Sequence, residues 1–418
     1  MASFDDSPGE NWFPAGQHLV YTCGTQTTPL PADYRYIIQV EENGTEISKI
    51  YLTPNTAEKG FFDLSEVVRG RVEVDAFKYQ TTATVHSFNN KPFTRSNNNV
   101  KRYTVRLGYY ESGTENLDED NQTLYLIDGY EQISDGLHPS FADFYGTQAN
   151  RKVWLTDRIP SNDIIEVKAG IEDDGIAAFL NTDDTGSLIE RLVINIYDNN
   201  ESLDDTLTYD INLTNGAQSP GAAAPTNTNG TLIYSYIYPA SITALTNALN
   251  NVQGGWLYYD VIPSTGLNAQ TGNALRVTND CRNTKNEPVQ LGWANTRGGW
   301  DYLRFNGKKQ KTVSREEKTY RKIVGDYDAS TFSFGTSSRQ IKPYQLESKE
   351  TYQLNGILTI EEITLMQYCL RSKNVMARID GTWVPVTIQT NSMQIEEETV
   401  SKVFITSFNV ELAQIIRC

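Results

Sequence analysis

The stretch Leu291–Tyr327, LGWANTRGGWDYLRFNGKKQKTVSREEKTYRKIVGDY, decides how the rest of the chain is read. Around its start, Val289, Leu291 and Trp293 alternate with Gln290, Gly292 and Ala294, so an extended segment there has one large apolar face. A turn-forming core, Asn295-Thr296-Arg297-Gly298-Gly299, separates it from a second aromatic run through Trp300, Tyr302, Leu303 and Phe305. This predicts a compact β-corner. Asn306-Gly307 tolerates positive φ at both positions and predicts a tight hairpin immediately after it.

The same stretch carries an unusual charge. From Asp301 to Gly325, eight basic residues (Arg304, Lys308, Lys309, Lys311, Arg315, Lys318, Arg321, Lys322) stand against three acids, Asp301, Glu316 and Glu317. The whole chain has a formal charge of −16. A basic arm on an acidic body predicts a self-complementary contact, one copy's arm lying on another copy's acidic surface. The candidate interface is Trp293, Arg297, Gly298, Gly299, Trp300, Arg304, Lys308, Lys309, Lys311, Arg315, Lys318, Arg321 and Lys322.

Composition bounds the rest. At 418 residues the chain exceeds one ordinary core, and about 100–200 residues per domain predicts about three or four. Hydrophobic residues make up 39% and charged residues 21%, the balance of a folded protein. With 24 tyrosines, much Asn, Thr and Ser, and few helical Ala/Leu/Glu/Lys blocks, the composition is that of strands joined by polar turns. No run of about 18 apolar residues exists, so no membrane insertion is expected. The start, MASFDDSPGENWF, lacks a basic and apolar secretory leader, so assembly in a cytoplasm is expected. Cys23, Cys281, Cys369 and Cys418 are far apart with no CxxC pair, and only His18, His86 and His138 supply imidazoles. That argues against a zinc site, a disulfide framework and a metal or triad enzyme, so no catalytic, metal or cofactor residue is assigned. The acidic balance argues against nucleic acid as partner.

Taken in order, residues 1–112 read as a β-sandwich of fibronectin type III or immunoglobulin kind. Its strands are Asp33–Val40 and Thr45–Leu52, joined by Asn43-Gly44, then Val72–Phe77, Thr82–Phe88 and Val100–Tyr110, with a helical turn in Phe61–Val68. Residues 113–213 repeat the style, with candidate strands Lys152–Leu155, Ile164–Lys168, Ile176–Leu180, Leu192–Tyr197 and Thr206–Leu213. Their acidic turns, at 172–175, 181–186 and 198–201, match no spaced calcium loop and read as solvated. Residues 214–231, uncharged and rich in Gly, Ala, Pro and Asn, form a linker or loop. Residues 232–328 make a β-rich domain containing the corner, the basic arm and a helix over Ser241–Asn250. Residues 329–418 make an α+β module whose helix, Thr359–Ser372, carries a capping box and an apolar stripe through Ile360, Ile363, Met366, Gln367 and Leu370. Flanking strands are expected at Glu350–Leu354, Val375–Ile379, Trp383–Thr390 and Val400–Ile416, with a turn at Asp380-Gly381. The fold class is therefore mainly β, a multi-domain train of antiparallel sandwich or β-rich modules with one α+β module.

Three stretches together, Asp33–Arg69, Leu291–Lys309 and Glu350–Ile388, resemble the structural proteins of tailed bacteriophage virions carried in tail, neck or baseplate gene sets. The last is similar to modules of distal-tail type: a helix, a Ser-x-x-Val strand, then a Val-Pro-Val strand. The resemblance implies a virion component that forms homo-oligomeric rings and anchors or adapts neighbouring tail, neck or fibre proteins, and it brings no functional residue set. The alternative is a tail protein that binds a host surface glycan, with Trp12, Trp154, Trp256, Trp293, Trp300 and Trp383 as stacking platforms. Valine at both Gly298 and Gly299 is expected to break the corner and stop assembly while leaving the first sandwich folded.

Overall fold

A computed structural model describes residues 2–8, 12–25, 29–73, 93–96, 99–130, 144, 151–181, 189–211, 232–265, 269–280, 287–322, 325–328, 330–333, 335, 340–390, 403–413 and 416–417. Of these, 58% lie in strands and 9% in helices, so the protein is mainly β. Two compact units emerge. One comprises Met1–Cys281 with Trp293–Tyr302, the other Arg282–Gly292 with Leu303–Cys418.

The first unit opens with a two-sheet sandwich. One sheet orders Ala2–Asp6, Val20–Thr25 and Gly60–Asp63. The other orders Trp12–Pro14, Thr114–Ile127, Val100–Glu111, Arg35–Glu42 and Thr45–Leu52. Strand alternation fills the core between them: Tyr36, Ile38 and Val40, then Tyr103, Val105 and Leu107, meet Tyr21, Cys23 and Phe62 from the other sheet. Each such side chain contributes about 1.5–3 kcal/mol by leaving water. Asn43-Gly44 turns as expected, with φ of 50° and 83°. Ser112-Gly113 repeats that geometry at 51° and 82° and joins Val100–Glu111 to Thr114–Ile127. The boundary expected after residue 112 thus falls in a two-residue hairpin turn, and the strand beyond it stays in the first sheet. Serine at the first turn position hid a signal that Asn43 displays. The helical turn expected in Phe61–Val68 is the helix Ser65–Val68. Asp63 holds it, accepting from the Ser65 and Leu19 amides at 3.0 Å each and pairing with His18 at 2.6 Å. The expected strands Val72–Phe77 and Thr82–Phe88 fall mostly or wholly outside the described residues.

A second sheet in this unit orders Ile164–Ala169, Ala274–Asn279, Trp256–Thr265, Arg191–Asp198 and Leu203–Asp210, with Ala269–Gln270 also on Trp256–Thr265. It draws strands from both 113–213 and 232–328, segments the sequence reading separates. The uncharged composition of 214–231 says nothing about whether the strands either side of it pair; those residues lie outside the described ones. One pairing, Ile164–Ala169 on Ala274–Asn279, is parallel. A small sheet orders Ala177–Leu180, Leu232–Ser235 and Phe93–Arg95. The helix Thr243–Asn251 buries Leu245, Ala248 and Leu249 on one face, as its periodicity predicts.

The second unit is built on a sheet ordered Trp300–Phe305, Val289–Ala294, Val375–Ile379, Thr382–Ile388, Val403–Leu412, Ile341–Thr359 and Gln310–Arg321. The first two strands belong to this unit through Leu303–Phe305 and Val289–Gly292. Asp380-Gly381 makes the expected turn with φ of 51° and 76°. Helix Ile360–Arg371 has the full capping box: Thr359 Oγ1 accepts from the Glu362 amide at 3.3 Å and Glu362 Oε2 from the Thr359 amide at 2.8 Å. Its apolar stripe is rotated from the expected one. Ile363, Leu365, Met366 and Cys369 are buried, whereas Ile360 is exposed. Asn306-Gly307 is also not the hairpin expected. Gly307 donates instead to Asn355 O at 2.7 Å, and Gln310–Arg321 pairs with Ile341–Thr359. The strand after the dipeptide is exposed at every position and has no apolar face to lay back on Trp300–Phe305, which is buried at every position. The basic arm therefore belongs with the C-terminal strands.

Candidate functional site

The residues assigned to one interface separate into two sets. The first, around Asn295–Tyr302, lies in the core of the first unit. Asn295 closes the corner, its amide donating to Gly299 O at 2.9 Å while its Oδ1 accepts from the Arg297 and Gly299 amides at 3.0 and 2.8 Å. Its Nδ2 reaches Leu155 O at 2.8 Å and Asp301 Oδ2 at 3.1 Å. The Thr296 carbonyl accepts from the Tyr130 amide at 2.9 Å, and the Gly298 carbonyl accepts from Asn99 Nδ2 at 2.5 Å. Asn99 Oδ1 in turn takes the Asp128 amide at 2.9 Å. The corner thereby ties down segments near residues 99, 128–130 and 155–158.

Both glycines have a physical reason. At Gly298, where φ is +81°, a Cβ would come within 2.4 Å of Ile127 Cγ2; at Gly299 one would come within 2.2 Å of Leu155 O. Trp293 and Trp300 are buried, and Arg304 is only 9% exposed. Side chains so enclosed present no surface to another molecule.

Two carboxylates sit in this knot. Asp301 is buried and accepts from Thr156 Oγ1, the Asp157 amide at 2.9 Å and Asn295 Nδ2. Asp157 is half-buried and accepts from Thr296 Oγ1 and the Thr296 amide at 3.1 Å. Burial, and then the neighbouring Asp301 charge, push the Asp157 carboxyl up to about 7. Asp301 is raised as well, chiefly by burial, with Arg158 pulling the other way. Arg158 is held by Tyr302 O at 2.7 Å and Glu166 O at 3.1 Å. Sequence reasoning missed Asn99, Thr156, Asp157 and Arg158 because nothing local marks them. They meet the corner only through the fold.

The second set is the arm. Gln310–Arg321 forms the last strand of its sheet, exposed over all 12 residues. Part of its charge is met nearby. Lys309 pairs with Asp380 at 2.8 Å and Glu287 at 3.6 Å, Lys311 with Glu350 at 2.7 Å, and Arg315 with Glu317. Lys308, Lys318, Arg321 and Lys322 make no ion pair among the described residues. Exposed Val313, Tyr320, Ile341 and Tyr344 stand on the same ribbon, the two tyrosine rings 6.4 Å apart. Beside it, Gln310, Thr312, Thr351, Gln353, Gln389, Asn409 and Glu411 line a polar trough of about 410 Å³.

Trp12, Trp154, Trp256, Trp293 and Trp300 are buried and only Trp383 is half-buried, so five of the six indoles offered as sugar platforms lie in cores. The turn 172–175 is not simply solvated, since Asp173 is buried and accepts from the Gly170 amide at 2.8 Å. Asp198 accepts from the Asn200 and Ser202 amides at 2.9 and 2.8 Å, ordering its own turn. Cys23 and Cys369 are buried free thiols; Cys281, Cys418, His86 and His138 fall outside the described residues. Among the described residues no three His, Cys, Asp or Glu groups converge as metal ligands, and no helix is long and apolar enough to cross a membrane.

No protein-family model matches the chain, and no curated protein matches it in sequence. Among solved structures, the fibronectin(III)-like modules of Clostridium thermocellum CbhA are similar at 7% identity and a TM-score of 0.17, over 69% of this chain and 99% of that one. Extracellular domains 3–5 of Drosophila OTK are similar at 11% identity and a TM-score of 0.21, over 84% and 92%. Two B repeat units of the Staphylococcus aureus collagen-binding protein CNA are similar at 10% identity and a TM-score of 0.11, over 73% and 61%. The mainly β class stands on the strands and sheets themselves.

Proposed function

We propose that this chain is a structural, assembly-forming component of a tailed-phage virion, of the tail, neck or baseplate class, whose copies join around an axis and anchor neighbouring virion parts. Its work is done by shape and repeated contact. The observation that carries the reading is the exposed 12-residue edge strand, whose Lys318 and Arg321 make no ion pair among the described residues, on a chain of charge −16. Aromatic residues and arginine on an open surface are the composition of interface centres. The resemblance of Asp33–Arg69, Leu291–Lys309 and Glu350–Ile388 to virion proteins supplies the setting.

Light scattering coupled to size exclusion, with negative-stain images over rising concentration, tests it. Rings or filaments of defined mass are expected, and a monomer at every concentration overturns the reading. Mass spectrometry of purified phage particles whose genome encodes the chain tests the setting, and absence from every particle overturns that part.

The polar trough favours a second reading, a glycan contact on this unit. The side chains of Gln310, Thr312 and Thr351 and the Asn409 side-chain carboxamide make no hydrogen bond among the described residues, leaving donors and acceptors for sugar hydroxyls. Silence on a glycan array removes it.

A further inference from the structure

Two open sheet edges of opposite charge lie on this one chain. Gln310–Arg321 ends its sheet, and its cations Lys318 and Arg321, with Lys322 just beyond, make no ion pair among the described residues. Leu203–Asp210 ends the sheet of the first unit, with Leu203, Asp204, Asp205 and Thr206 all exposed. Residues 198–211 contain five carboxylates and no Lys or Arg. Asp204 and Asp205 make no ion pair among the described residues. Two other edges differ: Trp300–Phe305 is buried throughout, and on Thr45–Leu52 the one cation, Lys49, is already paired with Glu115.

An edge strand presents alternate backbone N–H and C=O groups that another strand can complete. Its side chains decide which one. Two basic edges brought together set cation beside cation, and two acidic edges set carboxylate beside carboxylate; like charges across a strand pair oppose pairing and unlike charges favour it. The mixed combination sets unlike charges together along the pair. Leu203 at 57% and Val313 at 58% exposure add an apolar side chain to each edge.

We infer that Gln310–Arg321 of one copy pairs edge to edge with Leu203–Asp210 of the next copy. This deepens the assembly reading and rests on it. Because the two edges differ, a single contact leaves each copy with one edge still open, so repetition closes into a ring of two or more copies or runs on as an open filament.

Two charge-reversed variants, K318E/R321E and D204K/D205K, test the pairing by sedimentation and light scattering. Each alone is expected to associate at least tenfold more weakly than the wild type. An equimolar mixture is expected to associate again with wild-type strength, in oligomers that alternate the two variants, since each altered edge then finds its complement on the other. If the wild type assembles and either variant does so equally well alone, or if the mixture stays monomeric, the pairing is overturned while assembly stands. A wild type that is monomeric throughout overturns both. Should a variant fail to fold, zero-length carboxylate–amine cross-linking of the wild-type oligomer decides: links from Lys318 or Lys322 to Asp204 or Asp205 support the pairing, and their absence from an oligomer that cross-links elsewhere overturns it.

Discussion

Asn295–Tyr302 and Gln310–Arg321 are close neighbours in the chain and meet opposite ends. The corner is buried and nearly every polar atom described in it has a partner, several from distant segments. The arm is exposed along its whole length, and its ion pairs lie within its own strand or with the strand beside it. The difference shows what each kind of residue does. Glycines and an asparagine side chain let backbone approach backbone, which organises an interior. Long cationic side chains at an edge contribute only about 0–1 kcal/mol per exposed pair, so they add little to folding and remain available for contact.

Four substitutions test that contrast. Replacing Gly298 and Gly299 with valine forces side chains into Ile127 and Leu155 and strains a left-handed φ, costing roughly 4–6 kcal/mol, near the whole stability of a domain. Because Ile127 belongs to the first sandwich, that sandwich is expected to lose protection in hydrogen exchange too, contrary to what the sequence alone suggests. Asn295→Ala orphans the Arg297 and Gly299 amides and the Leu155 carbonyl and takes one of two donors from Asp301 Oδ2, and chemical denaturation is expected to report a loss of about 3 kcal/mol.

The third change concerns pH. Asp157 is raised from an ordinary 3.8 to about 7 on folding, so the folded state holds the proton more tightly than the unfolded chain. Its cost is therefore absent below about 4, grows as pH rises towards about 7 and is full above that. With about 1.4 kcal/mol per unit and a half-buried carboxylate beside a second titrating group, about 2 kcal/mol is expected. Thermal melts of Asp157→Asn should lose that slope and rise above wild type at pH 8; an unchanged slope would assign it elsewhere. Last, Lys318→Glu with Arg321→Glu is expected to move monomer stability by less than about 0.5 kcal/mol, since both side chains are exposed and make no ion pair among the described residues. A large drop in melting temperature would show that the arm is structural after all.

Much of the local structure was legible. Asn43-Gly44 and Asp380-Gly381 turn where the dipeptides say, and Thr359 with Glu362 caps the helix they mark. These signals are short-ranged: a positive φ or an orphan amide is answered by residues a few positions away. Asn306-Gly307 failed because a hairpin also needs a following strand that can bury a face, and Gln310–Arg321 cannot. The helix stripe rotated because Leu365 and Cys369 compete with Ile360 and Leu370 for the same interior. The corner was recognised as a corner but assigned to a surface, because aromatic and glycine content does not reveal what closes over it.

By itself the sequence determined the β class, the tight turns, the capped helix and the opposition of a basic arm to an acidic whole, since each depends on neighbouring residues or on sums over the chain. Only the tertiary structure decided that Asn99, Asp157 and Leu155 converge on Asn295–Asp301, that strands flanking 214–231 share a sheet, and that the corner goes in while the arm stays out. Those outcomes depend on pairings between strands far apart in the chain, where closing the loop costs entropy regardless of sequence and burial of the joined surface selects which closure survives.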